Sequence, residues 1–150
     1  MYGVAFDIGT TTIAAGLVDL KKRNTIAEAS LPNPQSRFGA DVISRIEAVA
    51  KTPNALIEMR AAALRACNEL ISGFGIDAKK IDAITAAGNS VMEHILLGIS
   101  PEPMGRIPFK TAFKEAQVLK AKDAGFDVPE NASLYVFPLV GGFVGGDSVA

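Results

Sequence analysis

VAFDIGTTTIAAGLVDL, residues Val4 to Leu20, decides how the rest of the chain is read. Apolar residues dominate both ends of the stretch, and Gly9-Thr10-Thr11 separates them. Gly3–Ile8 and Thr12–Leu20 are therefore expected as two strands joined by a tight turn. KKRN (Lys21–Asn24) is polar enough for a second turn, and Thr25–Leu31 has the character of a third strand. None of these connections has room for a helical crossover, so the three strands form an antiparallel meander. Asp7 then arrives at the end of the first strand, directly before a glycine and three hydroxyl residues.

The rhythm changes after Leu31. Pro32–Asp41 reads as a loop, and Val42, Ile43, Ile46, Val49 and Ala50 recur at helical spacing. Thr52-Pro53 has the form of an N-cap followed by proline at the first helical position. Ile57, Ala61, Leu64, Cys67, Ile71 and Phe74 then trace one face of a second helix, which Gly73 and Gly75 end. Ile81–Ala87 is apolar enough for a strand buried on both faces. Ser90 and Glu93 have capping-box spacing at the start of a third helix. Pro101, Pro103 and Pro108 mark an irregular connection, Lys114–Lys122 is expected as a short charged helix, and Leu134–Val140 as a fifth strand. GGFVGGDSVA (Gly141–Ala150) reads as the opening of a further helix. A meander followed by crossovers gives an α/β domain: a ribonuclease-H-like mixed five-stranded sheet with helices on both faces.

The totals fit one globular domain. Hydrophobic residues make up 49% of the 150 residues and charged residues 21%. With 15 basic and 16 acidic residues there is no basic surplus for nucleic acid or anionic lipid. No apolar run approaches the roughly 20 residues of a membrane helix. Cys67 is the one cysteine, so an internal disulfide is impossible, and it belongs to the apolar stripe of its helix as a core residue. His94 has no cysteine or second histidine near it and reads as structural or exposed. A cytoplasmic protein is expected.

A carboxylate at a strand's C-terminal end stands at the rim where α/β sheets bind ligands. Asp7 there calls for a cation or for donors. Gly9 lets backbone approach a ligand, and Thr10, Thr11 and Thr12 set hydroxyls beside N–H groups, a combination suited to phosphate oxygens. Magnesium carried by a nucleotide keeps most of its waters and needs few protein carboxylates, so Asp7 can hold it through water. A second cluster, Gly141, Gly142, Gly145 and Gly146 before Asp147, reads as a passage bringing Asp147 to the same rim to orient water or the metal; the plain alternative is a glycine hinge with Asp147 as an N-cap. Gly88-Asn89-Ser90 also lies between a strand and a helix N-terminus, a place that can hold an anion; capping is the simpler account of both side chains. Arg37 and Arg45 fit a salt-bridged surface helix better than contacts to phosphate or a partner.

DIGTTT (Asp7–Thr12) resembles the first phosphate motif of the actin, sugar-kinase and heat-shock-chaperone ATPase superfamily. NPQSRFGADVISRI (Asn33–Ile46), AAGNSVMEHILLGISPEPMGRIPF (Ala86–Phe109) and FPLVGGFVGGDSVA (Phe137–Ala150) resemble the C-terminal ATPase domain of reductive activators of corrinoid proteins, over nearly the whole chain. The resemblance implies an ATP-dependent enzyme that returns cobalt of corrinoid methyl-carrier proteins from Co(II) to Co(I), with the electron entering through a [2Fe-2S] domain. It implies Asp7 as the Mg²⁺-associated acid, Gly9, Thr10, Thr11 and Thr12 around the phosphates of ATP, and Asp147 with Gly145 and Gly146 at the position before a second phosphate motif.

That second motif, the matching half of the ATPase domain and the iron–sulfur cysteines are not found in these residues. The expected partners are a corrinoid iron–sulfur or methyltransferase protein and the other half of the ATPase domain. The chain by itself is expected to bind nucleotide weakly, to hydrolyse little of it, and to self-associate through the uncovered rim. A small-molecule kinase of the same superfamily and an ATP-gated scaffold module are the alternatives. Activators of 2-hydroxyacyl-CoA dehydratases are disfavoured, because their bridging cluster needs cysteines absent here.

Overall fold

A computed structural model describes residues 1–140. Strands β1 (Tyr2–Ile8), β2 (Thr12–Asp19) and β3 (Asn24–Pro32) form the expected antiparallel meander. β4 (Ile81–Gly88) runs parallel to β1 on its other side, and β6 (Ser133–Val136) runs parallel to β4. β5 (Gln117–Lys120) closes the far edge, antiparallel to β6, so the sheet order is β3-β2-β1-β4-β6-β5. The mixed α/β architecture is as the sequence implies, with six strands in place of five.

The extra strand replaces the helix expected over Lys114–Lys122. Its four residues alternate between half-buried and exposed, with Val118 opposite Tyr135 and Lys120 opposite Ser133. The charges that suggested a solvated helix are those of a solvated sheet edge, where lysine also discourages further pairing.

The core lies on one face of the sheet. Val4, Phe6 and Ile8 of β1 and Ile13, Ala15 and Leu17 of β2 alternate inward. They join Ile46 of α1 (Val42–Lys51), Met59, Ala63, Cys67 and Leu70 of α2 (Ala55–Gly73), and Met92 and Ile95 of α3 (Ser90–Leu96) in a single cluster. The period of two sends Ala5 and Asp7 to the opposite face, which is open among the described residues. Burial pushes the Cys67 thiol up to about 12, as befits a core residue. No described helix is long and apolar enough to cross a membrane.

Two helix starts differ from the reading of the sequence. Thr52 closes α1, its N–H donating to the Ala48 carbonyl, and α2 begins at Ala55 after a left-handed Asn54. Of the expected stripe, Leu64, Cys67 and Ile71 are buried, joined by Met59, Ala63 and Leu70, while Ile57 is 67% exposed. At α3 the cap is Asn89, whose side-chain oxygen accepts from Met92 N–H at 3.0 Å. Ser90 and Glu93, the expected capping pair, are both buried.

Candidate functional site

Because β1, β4 and β6 are parallel, their C-terminal ends share one rim. The Gly9–Thr11 turn leaves β1 there, and Gly88-Asn89 leaves β4 beside it. Asp7 pairs with Ala14 of β2 and Ala87 of β4. Its side chain is on the open face, where Asp7, Ala14, Gly16, Thr85, Ala87 and Phe137 are among the residues lining a broad depression of about 870 Å³. Small residues keep this floor shallow, so the carboxylate stands at a wall of an accessible trough.

The turn is held from within. Gly9 N–H donates to the Thr12 carbonyl at 3.0 Å. A Cβ on Gly9 would stand 2.5 Å from that same oxygen, so the hairpin itself requires glycine here, before any ligand is considered. The Gly9 carbonyl accepts from Asn33 Nδ2 at 2.8 Å, and the Thr10 carbonyl from Arg45 Nη2 at 2.7 Å. The Thr11 carbonyl accepts from Asn33 N–H at 2.8 Å. Three successive carbonyls thus point at buried donors. In a planar trans peptide the N–H lies opposite the carbonyl, so the N–H groups of Thr10, Thr11 and Thr12 point away from those donors. Among the described residues, the N–H groups of Thr10 and Thr11 have no acceptor. Such a run of outward N–H groups is an anion-receiving concavity.

Asn89 connects the two rim segments. While its oxygen caps α3, its Nδ2 donates to Thr10 Oγ1 at 3.0 Å. It is both a cap and a brace, where the sequence favours capping over an anion site.

Arg45 departs furthest from expectation. It is fully buried, not part of a salt-bridged surface. Nε donates to the Gly39 carbonyl at 3.0 Å, Nη2 to Thr10, and Nη1 lies 3.4 Å from the Met92 sulfur. Burial lowers its pKa, partly offset by the charge of Asp41, yet a guanidinium keeps its proton at any ordinary pH. Asn33 is as deeply buried, its side-chain oxygen accepting from Gln35 N–H at 3.0 Å. A signal for Arg45 was available: positions 42, 45, 46 and 49 form one i, i+3, i+4, i+7 stripe, and a charge on it calls for buried partners. Arg37, in contrast, is exposed and lies over the Phe38 ring.

Asp147, Gly145 and Gly146, together with Gly141 and Gly142, lie outside the described residues. Among those described, no group of three His, Cys, Asp or Glu side chains could hold a metal ion. The donor set at the rim, one accessible carboxylate beside hydroxyls and free N–H groups, instead suits a hydrated Mg²⁺ delivered on phosphates.

The family described as the RACo middle region matches residues 2–150. The corrinoid activation enzyme RamQ of Eubacterium limosum is 36% identical over 154 residues, covering 100% of this chain and 26% of that protein. A solved structure of a reductive activator for corrinoid, iron-sulfur protein superposes with a TM-score of 0.95 at 36% identity, covering 99% of this chain and 24% of that one. The chain thus spans about a quarter of the length of these relatives. With a family match over nearly all its residues and the same fold in a relative of this identity, the chain belongs to the RACo middle region family.

Proposed function

We propose that this chain is the first half of an actin-like ATPase domain in an ATP-dependent reductive activator, one that returns Co(II) corrinoid methyl-carrier proteins to Co(I). Family membership and the named activities of the two relatives support the corrinoid role. The nucleotide role rests on one observation: the Gly9–Thr11 turn, its three carbonyls fixed inward, presents N–H groups and hydroxyls beside Asp7 at the sheet rim.

In this reading the Thr10, Thr11 and Thr12 N–H groups and the Thr11 and Thr12 hydroxyls receive phosphate oxygens. Donors fixed beforehand cost no reorganisation when charge arrives. Asp7 accepts hydrogen bonds from waters around Mg²⁺, which would supply neutralising positive charge to the phosphates. By the resemblance, Asp147, with Gly145 and Gly146, belongs to the same site, at the position before the second phosphate motif. The second half of the domain and a [2Fe-2S] domain belong to the longer protein, in the cytoplasm, and a corrinoid iron–sulfur or methyltransferase protein is the partner.

Asp7→Asn in the full-length protein tests this. The amide keeps the shape of the side chain and removes its charge. ATP hydrolysis and Co(I) formation, followed by corrinoid absorbance, are expected to fall together by at least about tenfold, or about 1.4 kcal/mol of barrier. The nucleotide-free melting temperature is measured alongside, so that a folding defect is told apart from a lost phosphate site. Full ATPase activity in the variant would overturn the phosphate-site reading.

A further inference from the structure

We infer that Arg45 is an electrostatic positioning residue for anion binding, acting through the Thr10–Thr11 peptide rather than by touching the ligand. The inference rests on the phosphate reading of the turn and adds a residue to it that lies beneath the surface.

The geometry is specific. The Arg45 guanidinium is wholly buried, and its hydrogen bonds go to the neutral carbonyls of Gly39 and Thr10. The nearby acid, Asp41, is spent elsewhere: its carboxylate caps α1, accepting from Ser44 N–H and Ser44 Oγ, both at 2.7 Å. A buried cation bonded to carbonyls is costly to build, and a neutral donor could have fixed the turn equally well. Asn33 does so one peptide away.

What a cation adds is polarisation. A charge-assisted bond to the Thr10 carbonyl draws electron density along that peptide and strengthens the donor at its other end. That donor is Thr11 N–H, the middle of the three outward groups. The second bond, to the Gly39 carbonyl, and the Met92 sulfur against Nη1 keep the guanidinium plane in place. Gly39 has φ +150, and a Cβ there would collide with the Ser44 side chain, so the loop must come close for this bond to form. Arg45 therefore projects its charge toward the rim through one peptide unit, without exposure to solvent or competition with the ligand.

The test compares Arg45→Lys with Arg45→Met in the full-length protein. Lysine keeps the charge with a single donor, and methionine fills similar space without charge. Within these 150 residues the Thr–Thr peptides are 10–11 and 11–12, so threonine labelled with ¹³C′ and ¹⁵N reports on the turn directly. Three readouts are taken: melting temperature, the Thr10 carbonyl and Thr11 amide shifts, and affinity for Mg-ATP set against adenosine.

The expected result is that Arg45→Met moves the Thr10 and Thr11 signals and weakens Mg-ATP at least about tenfold, or about 1.4 kcal/mol, with adenosine unaffected. Arg45→Lys should recover most of the Mg-ATP affinity although its melting temperature also drops. Equal loss in both variants, or loss of adenosine in parallel with Mg-ATP, would show a purely structural arginine and overturn the inference. A wild-type protein that does not bind Mg-ATP would instead sink the phosphate reading. If Arg45→Met fails to fold, the inference is judged on Arg45→Lys, where ATP affinity falling with the melting temperature counts against it.

Discussion

The turn after β1 and the long connection after α3 are both irregular, and buried polar side chains hold each of them. For the turn these are Asn33 and Arg45; for residues 99–116 it is His94. His94 Nε2 accepts from Ala112 N–H at 3.0 Å. Its proton must then sit on Nδ1, which donates to the Ser90 carbonyl at 2.7 Å. The ring also stacks on Phe113, with centroids 4.6 Å apart. Arginine can only donate, so it draws carbonyls inward and leaves N–H groups facing out. An accepting imidazole draws an N–H inward, and its loop is stitched to the core. The binding potential of a loop is thus set by the donor or acceptor character of the side chain beneath it.

His94→Ala should break the second of these arrangements most severely. It removes a buried ring, leaves Ala112 N–H without its acceptor, and exposes one side of Phe113. A loss of about 2–4 kcal/mol in denaturant unfolding is expected, with the rim turn retaining its NMR signature. Acid should do the same more gently. Burial lowers the His94 pKa below its ordinary 6.5, with the Ser90 carbonyl pulling the other way. The unfolded chain therefore takes up its proton first as pH falls. Stability from neutral His94 is fully present above about pH 6.5 and is lost below it, down through the folded-state value. His94 is the one histidine of these 150 residues, so a stability drop between about pH 6.5 and 5 that persists in His94→Ala would contradict the assignment.

A smaller effect, about 1–3 kcal/mol, is expected for Gly9→Ala. Its Cβ meets a backbone oxygen that cannot rotate away, so Thr12 must shift and the N–H groups with it. Gly16→Ala on β2 sharpens the contrast. The nearest atom to its Cβ is Thr25 Cγ2 at 3.7 Å, an ordinary contact. Thermal melts should show Gly9→Ala destabilised and Gly16→Ala close to wild type; equal melting temperatures would mean that the turn is not tightly determined.

These positions also show what the sequence could disclose. The hairpin was legible because alternation, Asp7 and Gly9-Thr10-Thr11 all lie within 17 consecutive residues, and local pattern decides local pairing. Edge strand β5 was not, because its four residues owe their conformation to β6, more than ten positions later. The α2 stripe is legible at Leu64, Cys67 and Ile71, but the start of the helix is not, because the left-handed Asn54 leaves no sign in Thr52-Pro53. His94 reads from the sequence as structural or exposed; its burial decides for structural, and its partners at 90 and 112 carry no local signal. Arg45 reads as a surface residue because its partners are carbonyls of residues 10 and 39, and a carbonyl carries no signature in the sequence. Asp7 and the threonines were therefore visible as chemistry, while Asn33, Arg45 and Asn89, which aim that chemistry, became visible only when distant segments met.

Gln35 gives the smallest expected effect and the opposite sign. It lies two residues from Asn33 in the short helical turn Pro34–Phe38, which packs against α2, and it is fully buried. Neither its Oε1 nor its Nε2 has a hydrogen-bond partner among the described residues. A buried amide without partners costs about 1–3 kcal/mol, and an apolar group of the same shape can remove that cost. Gln35→Met preserves length and volume, so about 1 kcal/mol of added stability is expected, read as a higher denaturation midpoint at unchanged slope. The turn's carbonyl holders are Asn33 and Arg45, not Gln35, so Mg-ATP affinity should stay constant while stability rises. A lower midpoint would show that an ordered water satisfies the amide, since buried waters with several polar partners are costly to displace.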